Sequence, residues 1–234
     1  MKVKKIISKE EGKMEKYKNK FIEYLKAEDK ESCVNFALDL VHKEIVTISA
    51  LYEEILGPAL NSINSCPGEE PDCIWKEHMQ TSIVRTVIEC CYPFVVQEVN
   101  KKRKLNIKVL VLCPENELHE IGARMVSDFF LLNGYDAVFV GSNTPKEQIK
   151  AAIARSKPRY IAISVTDYYN LVAAKNTIHL AKQSVDLEVK ILVGGSAFRK
   201  NIDAVAQIGA DLYIDTYEDI KRLGEEDYKN AFGV

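Results

Sequence analysis

The sequence predicts an N-terminal four-helix bundle followed by a flavodoxin-like (Rossmann-like) doubly wound α/β domain with a five-stranded parallel sheet. Three observations carry this. Up to about Lys104 apolar residues recur at three- and four-residue spacing, as in helices buried along one stripe. From Leu105 short aliphatic runs alternate with helical patterns, as parallel strands joined by helical crossovers require. Between the two lies the polar run Lys101-Lys102-Arg103-Lys104, which sets expected domains at residues 1–104 and 105–234.

In order, Lys16–Lys26 and Asp29–His42 read as amphipathic helices that bury Phe21, Tyr24 and Leu25, then Val34, Phe36, Ala37, Leu40 and Val41. Met14 is a second candidate start. Thr47–Ile63 continues the period through Ile48, Leu51, Tyr52, Ile55, Leu56, Leu60 and Ile63, with a kink expected at Pro58. A loop rich in Pro, Gly and acid, Cys66–Asp72, precedes a fourth helical stretch, Ile74–Val99, expected to be interrupted at Pro93. Strands are then expected at Ile107–Cys113, Ala137–Val140, Tyr160–Val165, Val189–Val193 and Asp211–Ile214. Helices alternate with them: about His119 to Asn133, Lys146–Arg155, Leu171–Gln183, about Arg199 to Gln207, and from Glu218. The strands are near-continuous aliphatic runs, which predicts burial on both faces.

Composition narrows the function classes. With 234 residues, 47% apolar and 28% charged, the chain can bury a sizeable core, and a formal charge of −2 gives no basic footprint for nucleic acid. No stretch reaches the roughly 18 apolar residues of a membrane span, and the Lys-rich start lacks the apolar centre of a signal peptide, so a cytoplasmic protein is expected. Six cysteines (Cys33, Cys66, Cys73, Cys90, Cys91, Cys113) show no zinc spacing and read as reduced thiols, with Cys66 and Cys73 the one pair that could bridge or hold a soft metal.

The stretch around which the α/β half is organised is Cys113-Pro114-Glu115-Asn116-Glu117-Leu118-His119-Glu120-Ile121-Gly122, where the first strand empties into a polar turn carrying one histidine. Open α/β sheets bind ligands at such strand-to-helix turns. A dinucleotide is disfavoured because the turn lacks G-x-G-x-x-G. A phospho-acceptor receiver would use Asp167 and Ser196, but the paired acids are only Glu115 and Glu117, and Ile214-Asp215-Thr216-Tyr217 carries no lysine. A metal ligand fits better: Glu117, two residues before His119, can accept from Nδ1 and fix the tautomer that offers Nε2. One histidine cannot hold a bare metal tightly. It can serve as an axial ligand to a macrocycle that brings its own in-plane donors.

Glu117-x-His119-x-x-Gly122, Ser164-x-Thr166 and Gly194-Gly195 resemble the Asp-x-His-x-x-Gly, Ser-x-(Leu/Thr) and Gly-Gly signature of cobalamin-binding domains. The resemblance implies that His119 replaces dimethylbenzimidazole as the lower cobalt ligand and that the displaced nucleotide tail runs beside the sheet, past Gly122 and the small residues Ser164, Gly194 and Gly195. Glu117 stands where the family has aspartate, one methylene longer, which predicts a looser or water-bridged bond to His119. Tyr52-Glu53-Glu54-Ile55-Leu56-Gly57-Pro58-Ala59-Leu60 and Glu77-His78-Met79-Gln80-Thr81-Ser82 resemble the helical caps of methionine synthase-like modules and of light-sensing adenosylcobalamin repressors. In the latter a tryptophan ten residues before the glutamate packs over the upper ligand. Pro67 takes that place here, and Trp75, Glu77 and His78 are the candidates for the upper face, with Arg85 nearby. His42 and His179 have no partner pattern.

The implied cofactor is adenosylcobalamin or methylcobalamin. The favoured expectation is a sensor or photoreceptor that responds to the upper ligand or to light through a separate output protein. The alternative is a corrinoid methyl carrier serving a separate methyltransferase. A structural module or haem-binding derivative is the third class. No nucleophile–base pair or phosphate cradle appears, so chemistry would belong to the cofactor. Self-association into a homo-oligomer is left open.

Overall fold

The computed structural model describes residues 2–63, 73–183, 189–199 and 201–233. The chain divides into two compact units, Met1–Gln97 and Glu98–Val234.

In the first unit α1 (Lys2–Lys26) begins well before the expected Lys16. Its early turns are rich in Lys and Glu, good helix formers, and also carry Val3, Ile6 and Ile7 at helical spacing. α2 (Lys30–His42) is capped by Asp29, whose carboxylate accepts from the Ser32 amide at 3.0 Å. α3 (Ile48–Ala50) runs into a π-helical turn, Leu51–Leu56, and then α4 (Gly57–Ile63). Just ahead of Pro58, where a kink was expected, the helix widens into this π turn. Pro58 has no N–H for the Glu54 carbonyl, and Gly57 donates one residue further back than in an α-helix, to Tyr52. α5 (Cys73–Val99) passes unbroken through Pro93, where an interruption was expected. Pro93 lies on the exposed side, while Val84, Val87, Ile88, Cys91 and Val95 bury the other, offsetting the roughly 3 kcal/mol that an internal proline costs. Expectations for Cys66, Pro67 and the loop to Asp72 lie outside the described residues.

The second unit is an all-parallel sheet in the order β2-β1-β3-β4-β5. Its strands are β1 (Lys108–Leu112), β2 (Asp136–Gly141), β3 (Tyr160–Ser164), β4 (Lys190–Gly194) and β5 (Leu212–Tyr213). Between them run α6 (Ile121–Leu132), α7 (Lys146–Ser156), α8 (Leu171–Gln183), α9 (Ser196–Arg199) and α10 (Asp203–Gln207), and α11 (Tyr217–Phe232) closes the chain. The helix expected at 199–207 is thus two short helices, with the turn at Asn201, whose carbonyl receives the Ala204 amide. β1, β3 and β4 are buried on both faces as expected, but β2 is an edge strand with Val138 and Val140 about 40% exposed. Leu110, Leu112, Ile161, Ile163, Ile191 and Val193 form the core on one face with Ile149, Ile153, Ala174, Ile178 and Phe198.

The end of the sheet where β3 begins is fixed by a buried polar cluster. Asp227 of α11 accepts from the hydroxyls of Tyr135 at 2.7 Å and Tyr160 at 2.9 Å. Burial and then the Asp227 carboxylate push the Tyr160 hydroxyl up to about 12, so both phenols stay protonated donors. Among the described residues no helix is long and apolar enough to cross a membrane, and Cys33, Cys90, Cys91 and Cys113 are free thiols.

Candidate functional site

β1 and β3 are neighbours, yet β1 leads to β2 on one side and β3 to β4 on the other. Diverging connections leave a crevice at the carboxyl ends of this pair, the switch point of the doubly wound fold. The turn after β1 carries Glu117 and His119, and the turn after β3 carries Thr166 to Asn170.

Glu117 is fully buried. One carboxylate oxygen accepts from the His119 amide at 3.0 Å and from His119 Nδ1 at 2.6 Å. The other accepts from the amides of Thr166 at 2.9 Å and Asp167 at 3.0 Å, and from Asn170 Nδ2 at 3.1 Å. Burial alone would raise this carboxyl. The bonds from His119, the Asp167 amide and Asn170 outweigh it and hold the group at about 2. The looser bond expected from the longer side chain is therefore not found: the extra methylene lets one carboxylate hold His119 and span to the β3 turn. The His119 side chain remains 46% exposed.

A second turn braces the same segment. A bulge near the end of β2 sends residues 142–144 toward it. Asn143 Oδ1 accepts the Asn116 amide at 2.9 Å, and the Asn143 amide donates to the Glu117 carbonyl at 2.9 Å. Lys146 reaches Glu115 at 3.3 Å, and Glu120 accepts from the Ser142 amide at 3.3 Å. Cys113 donates to the His119 carbonyl at 3.8 Å. Burial, then Glu117 and Glu120, push its thiol up to about 12, so it offers no thiolate.

The three glycines of the signature differ. A Cβ at Gly122, in the first turn of α6, would meet nothing within 4 Å. At Gly194 it would stand 2.5 Å from the Ile214 carbonyl oxygen. Gly195 has φ +103°, and a Cβ there would run into the Val165 carbonyl. Gly194 and Gly195 are thus demanded by the protein's own backbone, while Gly122 serves no internal packing. Ser164 ends β3 half-buried, in register with Gly194. Thr166 contributes its amide to Glu117, and its carbonyl accepts from Ser196 Oγ at 3.0 Å. Asp167, the receiver-type candidate, caps its own turn through the Tyr169 amide.

The structure brings Glu117, His119 and Thr166 into one network. Trp75, Glu77 and His78 lie on α5 in the other unit, Trp75 51% exposed and His78 exposed. His42 is exposed with its ring against Phe94, and His179 is exposed beside Gln183 at 2.8 Å. Sequence reasoning missed Asn116, Asn143 and Asn170. The signal open to it was asparagine in strand-end turns, where left-handed backbone is common; Asn116 and Asn143 have φ +66° and +47°. Among the described residues no group of three or more His, Cys, Asp or Glu side chains gathers for a bare metal ion. A half-exposed imidazole with Nδ1 tied to Glu117 has the chemistry to serve a metal that arrives with its other ligands.

Residues 107–222 match the B12 binding domain family. The methanol–corrinoid protein of Methanosarcina barkeri (strain Fusaro / DSM 804) is 25% identical over 120 residues, 50% of this chain and 45% of that protein. The match thus spans about half the length of that curated relative. Among solved structures, the monomethylamine corrinoid protein of Methanosarcina barkeri superposes with a TM-score of 0.74 at 14% identity, covering 91% of this chain and 98% of that one, a likeness of fold. The methanol:cobalamin methyltransferase complex MtaBC of the same organism gives 0.47 at 18% identity, covering 90% and 79%.

Proposed function

The α/β unit belongs to the B12 binding domain family and binds cobalamin; from that premise we propose that the chain is the corrinoid methyl carrier of a methyltransferase system. His119 is the lower-face ligand, offering Nε2 while Glu117 holds Nδ1 and sharpens the donor. Gly122 leaves the first turn of α6 open for the nucleotide tail, with Ser164, Thr166, Gly194 and Gly195 bounding the neighbouring strand ends. Trp75, Glu77 and His78 are the candidates from the sequence for contacts to the upper ligand. When bound, cobalamin supplies a cobalt that takes up and gives back a methyl group. The protein's part is to fix the lower ligand and to let separate partner enzymes reach the upper side.

The observation that carries this reading is the 2.6 Å pairing of a buried carboxylate with an exposed histidine at the switch point. The choice of carrier over the sensor favoured by sequence alone rests on the relative named as a corrinoid protein for methanol. To test it, the protein is loaded with methylcobalamin or adenosylcobalamin in the dark, and absorption and size-exclusion profiles are recorded before and after illumination. Stable methylcobalamin binding without a light-linked change in assembly supports the carrier. An adenosylcobalamin complex that changes its oligomeric state in light supports the sensor. For His119→Ala, loss of histidine ligation and weaker binding are expected, and an unchanged spectrum refutes the ligand assignment.

A further inference from the structure

We infer that Asn143, in the turn after β2 and outside every motif of the site, is a positioning residue for His119. This rests on the reading of His119 as the lower cobalt ligand. Glu117 can hold the imidazole only if its own backbone is fixed, and the structure fixes it from two sides. The β3 turn grips the carboxylate through the Thr166 and Asp167 amides and Asn170. Asn143 grips the backbone: its side chain accepts the Asn116 amide and its amide donates to the Glu117 carbonyl, both at 2.9 Å. These two bonds bracket the peptide that joins Asn116 to Glu117. Asn116 sits in the left-handed region, and the turn it forms is closed by the Glu117 amide on the Pro114 carbonyl at 3.1 Å and braced from outside by Asn170 Nδ2 on the Asn116 carbonyl at 3.3 Å and by Asn143. Without Asn143 Oδ1 the turn can relax, the Glu117 side chain shifts, and the geometry of the Nδ1 bond goes with it.

Three substitutions separate side chain from backbone. Asn143→Asp keeps an acceptor oxygen and tolerates φ +47°. Asn143→Ala removes the acceptor at a strained φ, and Asn143→Gly removes it without strain. Full-length protein labelled with 15N-histidine is loaded with cob(II)alamin and its electron paramagnetic resonance is recorded, with His119→Ala in parallel. A 15N doublet from the axial ligand marks cobalt held by a protein histidine. The ratio of histidine-ligated to histidine-free cobalt is expected to fall roughly fivefold in Asn143→Ala and Asn143→Gly, the size of one net hydrogen bond, and to stay near wild type in Asn143→Asp. If His119→Ala abolishes the doublet while Asn143→Ala and Asn143→Gly match wild type, the positioning role is overturned and the ligand assignment stands. A loss in Asn143→Asp equal to that in Asn143→Ala also overturns it. A doublet that persists in His119→Ala overturns both.

Discussion

Replacing Glu117 by glutamine keeps the size of the side chain and removes its charge, and the structure sets how much that should cost. A carboxyl held at about 2 against an ordinary 4.5 contributes about 3 kcal/mol to the folded state at neutral pH. Glutamine has one oxygen for two sets of donors: the amide and Nδ1 of His119 on one side, and Thr166, Asp167 and Asn170 on the other. Its NH₂ must face one set, and a buried donor left unsatisfied costs about 1–3 kcal/mol more. The expected loss is about 4–6 kcal/mol, a drop of about 2 M or more in the urea midpoint for a slope near 2 kcal/mol/M. Far-ultraviolet circular dichroism of the cofactor-free chain follows this, while fluorescence of Trp75, the single tryptophan, reports the helical unit separately. Because the folded-state value is depressed, the Glu117 contribution is complete above about 4.5 and is lost as pH falls toward about 2. The gap between wild type and Glu117→Gln should therefore be constant near neutrality and close in acid. A gap under about 1 kcal/mol at pH 7, or one that does not narrow in acid, refutes the argument that the carboxylate ties the two turns together.

Two glycine substitutions should separate binding from folding. Gly122→Ala is expected to leave the cofactor-free protein as stable or up to about 1 kcal/mol more so, while cobalamin affinity in a spectrophotometric titration falls tenfold or more. Gly195→Ala should cost about 3 kcal/mol or more in thermal unfolding, because its φ of +103° and the Val165 carbonyl leave no place for a methyl group. Asp227→Ala leaves the buried hydroxyls of Tyr135 and Tyr160 without their acceptor and should lower stability by about 3–5 kcal/mol. Below its melting point that variant should bind cobalamin as wild type does, which a titration at low temperature checks.

The α/β order was legible because buried parallel strands are aliphatic runs separated by polar turns, and the five runs fall where the five strands do. Edges were less legible. Val138 and Val140 look like core residues in sequence, and only the sheet order shows that β2 has no neighbour on its outer side. Pro93 was misread because a missing N–H is a local defect, and whether a helix breaks or continues is decided by the burial around it. Pro58 is absorbed by a π turn and Pro93 by an exposed face. At the site, Glu117 and His119 were legible because their spacing is local. Asn143 and Asn170 were not, since their bonds to the Asn116–Glu117 segment span 27 and 53 residues.

The site also bears on how binding is divided between the two units. Each oxygen of Glu117 is satisfied by protein donors, and the turn that carries it is held by the β2 and β3 turns. Trp75 and His78 are exposed on a separate unit. Affinity for cobalamin should accordingly reside in the α/β unit, which carries the B12 binding domain match. This division suits a carrier better than a tightly gated sensor, because a carrier must keep its cofactor through every exchange while its upper face is handed from one partner to the next. In variants of Trp75 or His78, methylcobalamin affinity should therefore stay within a few-fold of wild type, whereas His119→Ala loses it. Equal losses from both units would place the grip on both faces and favour the sensor.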